Sequence, residues 1–250
     1  MGFGLETKGL QKRFGGLAVT NNLSLQIASG ARHALIGPNG AGKTTVINLL
    51  TGVLRPDAGT ILLEGDDITE LPVYRRVGKG LSRTFQINQL YADLTPIETI
   101  GLAVSERRGH GGDWWRRMGT RSEINEEIAE NLERFHLADS MNVPTATLPY
   151  GKQRLLEIAL AVATKPRVLL LDEPAAGVPE GERRDVLAAV ASLPRDVTVL
   201  LIEHDMDLVF NFADRISVLV NGALLVEGKP DEVARDPQVK AVYLGEASDA

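Results

Sequence analysis

Several short segments of this 250-residue chain are almost entirely apolar and are bounded by turn-forming or charged residues. Residues 168–172 and 197–203 are of this kind, and apolar runs of this length are typical of strands buried on both faces, as in a parallel sheet. Residues 32–36 are predicted to form a further short strand. Between such runs lie segments with helical spacing; in residues 122–135 the apolar positions fall on one helical face and the acidic positions on the other. Strands that alternate with helices predict an α/β domain.

Hairpins are predicted near both ends of the chain, where two strand-like segments flank a turn. The pairs are 5–14 with 18–27 around Gly15-Gly16, and 215–220 with 224–227 around Asn221-Gly222. Asn-Gly is a turn that two-residue hairpins favour, because both positions need a positive φ. The α/β core is therefore expected to carry antiparallel strands as well.

The stretch from about residue 87 to 164 differs from its surroundings because its pattern is helical. Thr95 and Glu98 form a capping-box signature at the start of its first helix. The predicted organisation is a core with a β subdomain, about 1–86 and 165–250, and an inserted helical subdomain. Within the insertion, the run rich in Arg and Gly around Trp114-Trp115 is predicted to be a surface segment. Its tryptophans either anchor a partner or fold back onto the lobe.

Residues 37–44 carry the first chemical signal, since they match G-x-x-x-x-G-K-[ST], the phosphate-binding P-loop. They follow a predicted strand and open a predicted helix. Glycines let backbone N–H groups face a phosphate chain, and the helix N-terminus adds the positive end of its dipole. Lys43 is predicted to reach the β- and γ-phosphates, and the Thr44 hydroxyl to ligate Mg²⁺. The alternative, a glycine-rich turn before an ordinary helix, is disfavoured by the specificity of the pattern.

Two other predicted strands end in polar residues. Asp172 and Glu173 follow one strand and His204 follows another, and ligands of parallel sheets bind at the carboxyl ends of the strands. Asp172 is predicted to help hold Mg²⁺. Glu173 suits a general base, or an orienter, for water that attacks the γ-phosphorus. A lone His after a strand is more often structural, but a P-loop and a metal-binding carboxylate on neighbouring strands favour a role for His204 at the γ-phosphate or that water.

Composition narrows the class of protein. The net charge is −6, whereas proteins that bind nucleic acid usually carry a basic surface, so no nucleic-acid partner is expected. The chain has no cysteine, which excludes disulfides and thiolate metal sites. Neither a signal peptide nor an apolar run of about 20 residues, as needed to span a bilayer, is visible. The protein is expected to be soluble unless it docks on a protein that spans the membrane.

Taken together, these motifs resemble the ATP-binding cassette (ABC) ATPases over nearly the whole chain. Phe14 stands at the position of the adenine-stacking aromatic, Gln86 at that of the Q-loop glutamine, and Gly151 within the signature segment 148–153. Asp172 and Glu173 match Walker B with its catalytic glutamate, His204 matches the switch histidine, and Walker A comprises Gly37, Pro38, Asn39, Gly40, Ala41, Gly42, Lys43, Thr44 and Thr45.

The resemblance implies a P-loop NTPase fold of the ABC type that binds ATP and Mg²⁺. It assigns catalysis to Glu173, His204 and Gln86, and the metal to Thr44, Gln86 and Asp172. Phe14, just before the Gly15-Gly16 turn, is suited either to stack on a base or to pack in the core; by itself the core is favoured, and the resemblance favours the base.

Some segments resemble the ATPase subunits of branched-chain (hydrophobic) amino acid importers, and more closely the larger of their two paired ATPases; these are residues 80–86, 173–177, 202–206 and 242–246. This implies a head-to-tail dimer with a second ATPase subunit, bound to two membrane-spanning permeases at the cytoplasmic face of the plasma membrane. A periplasmic solute-binding protein is implied indirectly. Members of this group also carry urea, amides and aromatic acids, so the cargo stays open. The alternatives are an ATPase of lipopolysaccharide export, a soluble ABC protein that acts on DNA or ribosomes, and a nucleotide switch without a transport partner.

The signature segment departs from the usual Leu-Ser-Gly-Gly-Gln, with Pro149, Tyr150 and Lys152 at three of its positions. Proline has neither the hydroxyl nor the backbone N–H that would bind a partner's γ-phosphate. Gly151 is expected to keep its N–H for that phosphate, and Lys152 to replace part of the lost contact. With Pro179 at the D-loop position, we hypothesise a heterodimer with unequal ATP sites. The alternative is that both sites work.

Overall fold

The computed structural model describes residues 2–84, 90–109 and 122–246, so the predictions for Gln86 and for Trp114-Trp115 lie outside the described residues. Its strands are β1 (Phe3–Phe14), β2 (Leu17–Ala28), β3 (Arg32–Ile36), β4 (Ala58–Leu63), β5 (Asp66–Asp67), β6 (Leu81–Arg83), β7 (Val168–Asp172), β8 (Thr198–Ile202), β9 (Arg215–Val220) and β10 (Ala223–Gly228). Its α-helices are α1 (Lys43–Thr51), α2 (Val73–Gly78), α3 (Pro96–Arg107), α4 (Ser122–Arg134), α5 (Tyr150–Ala163), α6 (Glu180–Ala191), α7 (Met206–Phe212), α8 (Pro230–Arg235) and α9 (Pro237–Glu246).

The chain divides into two compact units. The first contains Met1–Arg83, Arg167–Glu173 and Pro194–Ala250, and the second contains Thr84–Pro166 and Pro174–Leu193. The first unit therefore holds the sheets, whose strands come from three separate parts of the sequence. The second unit is helical and contains α3 to α6.

The larger sheet of the first unit has the strand order β10-β9-β3-β8-β7-β6. Neighbouring strands in this sheet are parallel, except that β9 and β10 form an antiparallel hairpin. Every residue of β3, β7 and β8 is buried. Leu35 packs in one apolar cluster while Ala34 and Ile36 pack in another, so both faces of the sheet are covered. The burial of β7 and β8 is the one that their apolar runs predict.

The smaller sheet is antiparallel and has the order β2-β1-β4-β5. The predicted hairpins are confirmed: β1 pairs with β2, and β9 pairs with β10 across Asn221 and Gly222. Both turn residues have a positive φ, of 49° and 76°, which is the conformation that Asn-Gly adopts with little strain. The predicted fold class, a mixed sheet core with an antiparallel β part and inserted helices, is confirmed.

Helix α3 of the second unit begins where the sequence predicts. Thr95 Oγ1 accepts the Glu98 backbone N–H at 3.4 Å, and the Glu98 carboxylate accepts the Thr95 backbone N–H at 2.9 Å, which completes the capping box. At its other end, Arg107 and Arg108 both bind the Glu127 carboxylate of α4, which ties the two helices together. Within the described ranges, no helix is both long enough and apolar enough to cross a membrane.

A buried polar relay in the first unit makes the stability of the protein depend on pH. His33 Nε2 lies 2.8 Å from Ser217 Oγ, which in turn donates to Glu227 at 3.0 Å. The pKa of His33 is lowered to about 4, mainly by burial; the Glu227 charge opposes this shift and the Arg215 charge adds to it. The folded protein therefore holds a neutral imidazole at a pH where the unfolded chain is protonated.

We expect the free energy of unfolding to fall by about 2 kcal/mol between pH 7.5 and pH 5 through this group alone. A depressed folded-state pKa gives stability that is complete above the unfolded value of about 6.5 and is lost as the pH falls toward 4. Urea unfolding across this range checks the prediction. His33→Gln is the matched control, because it removes the titrating group and should flatten that part of the profile. Equal pH dependence in both proteins would contradict it.

Candidate nucleotide-binding site

Three adjacent strands of the larger sheet end at the same level and bring the predicted site residues together. Asp172 on β7 pairs with Ile202 on β8, and Ile202 pairs with Leu35 on β3. Two residues after Leu35 the P-loop begins, and two residues after Ile202 comes His204. The strand that leads to His204 therefore lies between the P-loop strand and the Asp172 strand, which confirms the predicted adjacency.

The P-loop glycines are required by the fold as well as by any ligand. A Cβ on Gly37 would lie 2.1 Å from the Leu219 carbonyl oxygen, and one on Gly42 would lie 2.6 Å from that of Val19. Gly42 also has a φ of 100°, which L-residues rarely adopt. A Cβ on Gly40 would meet no protein atom within 4 Å, so only its φ of 76° demands glycine within the chain itself.

Helix α1 presents an N-terminus suited to an anion. It has no acidic residue in its first turn, and its cap, Gly42, has no side chain to occupy the first N–H groups. Thr44 and Gly40 are exposed. The Lys43 ammonium folds over the loop and donates to the carbonyl oxygens of Gly37 and Pro38, so a positive charge lies beside the exposed backbone.

Asp172 and Glu173 are adjacent in sequence but lie in different environments. Asp172 is 3% exposed, and its Oδ2 accepts a hydrogen bond from Arg83 Nη2 at 2.8 Å. Glu173 has a φ of 46°, in the left-handed region, while its backbone N–H is held by the Ile202 carbonyl at 2.9 Å. Its side chain is 25% exposed. Glu173 thus combines a left-handed backbone at the end of a buried strand with a carboxylate that is more exposed than that of Asp172.

His204 is the exposed member of the group. Its side chain is 69% exposed, and Nδ1 lies 3.9 Å from Glu173 Oε1 and 3.8 Å from Glu203 Oε2. Glu203 is buried, and its Oε2 accepts the His204 backbone N–H at 3.1 Å. Sequence reasoning missed Glu203, although a carboxylate that ends a buried strand next to a histidine was a visible signal.

Phe14 is not a core residue. It ends β1 and is 49% exposed, so the interpretation as a buried packing residue is wrong. Lys12 Nζ lies 5.7 Å from the centre of its ring. An exposed ring with one cation beside it leaves surface on which a planar group can stack.

The signature segment opens α5 in the second unit, with Pro149 at the N-cap and no side-chain cap. The Gly151 backbone N–H donates to Glu182 Oε2 on α6 at 2.7 Å, and a Cβ on Gly151 would lie 2.3 Å from that oxygen. Glu182 therefore caps α5 from another helix, since Pro149 has no group that can do so. A carboxylate of the same chain thus occupies the N–H that was predicted to face a partner's phosphate.

Lys152 also has a partner in its own chain. Its ammonium lies 2.6 Å from both carboxylate oxygens of Asp139 and 3.2 Å from Ser140 Oγ. Lys152 is predicted from the sequence to replace a lost phosphate contact, but its ammonium is already paired with Asp139, and this does not support the prediction. The side chain is fixed to the loop before α5 because Asp139 neutralises it there.

Comparison with known proteins fits this geometry. Residues 20–176 match the family model described as ABC transporter, and residues 223–249 match the one described as branched-chain amino acid ATP-binding cassette transporter. The chain belongs to the ABC transporter family. It is an ATP-binding cassette, the ATP-hydrolysing subunit of such a transporter.

Relatives of this cassette align with it over nearly its whole length. The high-affinity branched-chain amino acid transport ATP-binding protein BraF of Pseudomonas aeruginosa is 42% identical, over 97% of this chain and 98% of that protein. The corresponding protein LivG of Escherichia coli K12 is 41% identical with the same coverage.

Solved structures of cassettes share the fold. One, the ADP conformation of an ATP-binding cassette of an ABC transporter, superimposes with a TM-score of 0.83 at 31% identity, covering 98% of this chain and 99% of that one. A nucleotide-free ATP-binding cassette gives a TM-score of 0.82 at 30% identity, covering 97% of this chain and 99% of that one.

Proposed function

We propose that this cassette binds and hydrolyses ATP at the carboxyl edge of its parallel sheet and thereby drives the import of branched-chain amino acids. The observation that carries the proposal is the strand register, which brings the P-loop, the Asp172-Glu173 pair and His204 to one edge. The names of the relatives and the C-terminal family match support the cargo.

The phosphate chain of ATP is proposed to lie on the P-loop, from Gly37 to Thr45, with Lys43 moving from the loop carbonyls to the β- and γ-phosphates. Phe14, exposed at the end of β1, is proposed to stack on the adenine. In the structure the Phe14 ring is exposed and the Lys43 ammonium lies over the loop, so both are close to the surface that ATP would use.

Mg²⁺ suits the donors present. Thr44 offers a hydroxyl and Asp172 a carboxylate, and Gln86 is proposed to add an amide oxygen; oxygen donors of this kind are those that Mg²⁺ prefers. Among the described residues, no cluster of three or more His, Asp or Glu side chains forms a cage for a metal. When bound with ATP, Mg²⁺ would neutralise charge on the phosphates.

Glu173 is proposed to act as the general base that takes a proton from the attacking water, with His204 and Gln86 orienting the water or the γ-phosphate. Glu173 combines a fixed backbone with a partly exposed carboxylate at this edge. Asp172 does not suit this role, because it is buried and paired with Arg83.

We further propose that the cassette works in a head-to-tail dimer with a second ATPase subunit, so that Gly151 faces ATP bound to the partner. The Glu182 cap on that N–H supports unequal sites, because a carboxylate there opposes a phosphate. Two permeases would hold the dimer at the cytoplasmic face of the membrane, and a periplasmic binding protein would deliver cargo. The helical segment, about 87–164, is proposed as the subdomain next to the permeases, with about 1–86 and 165–250 as the core.

The test is uptake of radiolabelled leucine, isoleucine and valine by cells of the source organism from which the gene has been deleted. We expect uptake to fall, to return with the wild-type gene, and to stay low with the Glu173→Gln variant. Uptake of glutamate serves as the control and should not change. An affinity-tagged cassette should also co-purify from membranes with permease subunits.

Two results would overturn parts of the proposal separately. Normal uptake of all three amino acids after deletion would exclude the proposed cargo, while leaving the ATPase assignment intact. A purified cassette that binds no ATP in the presence of Mg²⁺ would exclude the assignment of the site itself.

A further inference from the structure

Arg83 is a charged residue that the assigned roles do not use, although it lies within the candidate site. It ends β6, and its Cα pairs with Leu170 on the neighbouring strand β7. Leu170 and Asp172 point to the same face of the sheet, because side chains alternate along a strand. A side chain as long as arginine reaches diagonally from the first position to the second. The strand register therefore aims the guanidinium at Asp172.

Two nitrogens of the guanidinium donate hydrogen bonds to different elements of the first unit. Nη2 donates to Asp172 Oδ2, and Nη1 donates to Asn48 Oδ1, both at 2.8 Å. Asn48 lies on α1, four residues after Thr44, so the two share one face of that helix. Arg83 thus bridges the two elements that carry the proposed metal ligands Thr44 and Asp172.

Burial makes this contact specific. The side chain of Arg83 is 11% exposed and that of Asp172 is 4% exposed. Because both side chains are shielded from water, each charge is stabilised by the other. Removal of one partner of such a pair leaves an uncompensated buried charge. The second oxygen of Asp172, Oδ1, makes no hydrogen bond with any residue that the structure describes. The arginine therefore occupies one carboxylate oxygen and leaves the other for a cation.

We propose that Arg83 is a positioning residue of the ATPase site. It binds one oxygen of Asp172, which leaves the other to a metal that would bind there, and it ties α1 to β7 through Asn48. Its positive charge also weakens the attraction of the site for the metal, so that a Mg²⁺-nucleotide complex is held less tightly than Asp172 alone would hold it. This inference rests on the proposed metal role of Asp172.

Two substitutions of Arg83 separate charge from geometry. Arg83→Gln removes the charge; we expect the free Mg²⁺ concentration that half-maximally strengthens ADP binding to fall about five-fold, because a nearby positive charge is gone. We also expect kcat for ATP to fall about ten-fold or more, because the carboxylate is no longer held. Arg83→Lys keeps the charge without the planar fork, so the Mg²⁺ requirement should stay within about two-fold of wild type while kcat stays low.

Calorimetric titration of ADP, in EDTA and at a series of Mg²⁺ concentrations, measures the first quantity, and steady-state ATP turnover measures the second. ADP affinity in EDTA should be unchanged, which shows that the P-loop is intact. Asn48→Ala removes the other anchor of the guanidinium and leaves the ion pair in place. It should lower kcat about three-fold with an unchanged Mg²⁺ requirement.

The inference is overturned if Arg83→Gln leaves both the Mg²⁺ requirement and kcat within about two-fold of wild type, or if Lys restores both. If Arg83→Gln does not fold, Arg83→Lys and Asn48→Ala decide in its place, and wild-type kcat in both would overturn the inference. If the ADP affinity of the wild-type protein does not change with the Mg²⁺ concentration, the proposed metal role of Asp172 is refuted instead.

Discussion

Replacing Glu173 with Gln is expected to lower kcat for ATP about 100- to 1,000-fold, with an affinity for ATP within about three-fold of wild type. The amide has the size of the carboxylate but cannot accept a proton from water. The backbone of Glu173 is fixed by its bond to the Ile202 carbonyl and by the end of β7, so the substitution should leave the fold intact. Phosphate release in steady state and equilibrium binding of ATP measure the two quantities.

Glu180→Gln is the matched control, because Glu180 is an exposed glutamate in the first turn of α6 and has no proposed role. It should turn over ATP at the wild-type rate. In the assembled complex, the equivalent substitution in the second ATPase should be less damaging if the two sites are unequal. Equal damage from both substitutions would reject unequal sites, and turnover near wild type in Glu173→Gln would reject Glu173 as the base.

Replacing Gly42 with Ala should abolish measurable nucleotide binding and lower the free energy of unfolding by about 3 kcal/mol. The new Cβ would lie 2.6 Å from the Val19 carbonyl oxygen, and the backbone would keep a φ of 100°. Relief of either conflict moves the first turn of α1, and with it the N–H groups that would face phosphate. Urea unfolding and titration with ADP check the two effects.

Gly40→Ala is the comparison that separates the steric conflict from the left-handed backbone. Gly40 has a φ of 76°, but a Cβ at this position would meet no protein atom within 4 Å. Its replacement should therefore lower the free energy of unfolding by only about 1 kcal/mol, the strain of one left-handed alanine. If Gly42→Ala and Gly40→Ala were equally stable, the Val19 contact would have no effect on the loop.

Local rules predict the main elements well where one rule acts alone. The mostly apolar runs predict β7 and β8 within one or two residues, the short strand-like segment before the P-loop predicts β3, and the Thr95-Glu98 pair marks the start of α3. The polar residues that directly follow these strands then indicate the site, because ligands of a parallel sheet bind at the carboxyl ends of its strands. The P-loop, Asp172, Glu173 and His204 are found in this way without any structure.

Contacts between residues far apart in sequence are not visible to such rules. The Glu182 carboxylate caps α5 although it follows Gly151 by 31 positions. Arg83 stands three positions before Gln86, yet it binds Asn48 and Asp172, at separations of 35 and 89 residues. Phe14 shows a second limit. Taken by itself, an aromatic beside a turn favours the core, and only its burial in the structure shows that this ring is exposed.

The sequence by itself therefore determined the α/β class, the phosphate loop and the carboxylates at the strand ends, because spacing along one segment is enough to specify them. The tertiary structure decided which charges are already paired. Arg83 occupies one oxygen of Asp172, Asp139 holds Lys152, and Glu182 occupies the Gly151 N–H. Hydrogen bonds and ion pairs depend on distances across the fold, and those distances are set only when strands and helices from separate parts of the chain pack together.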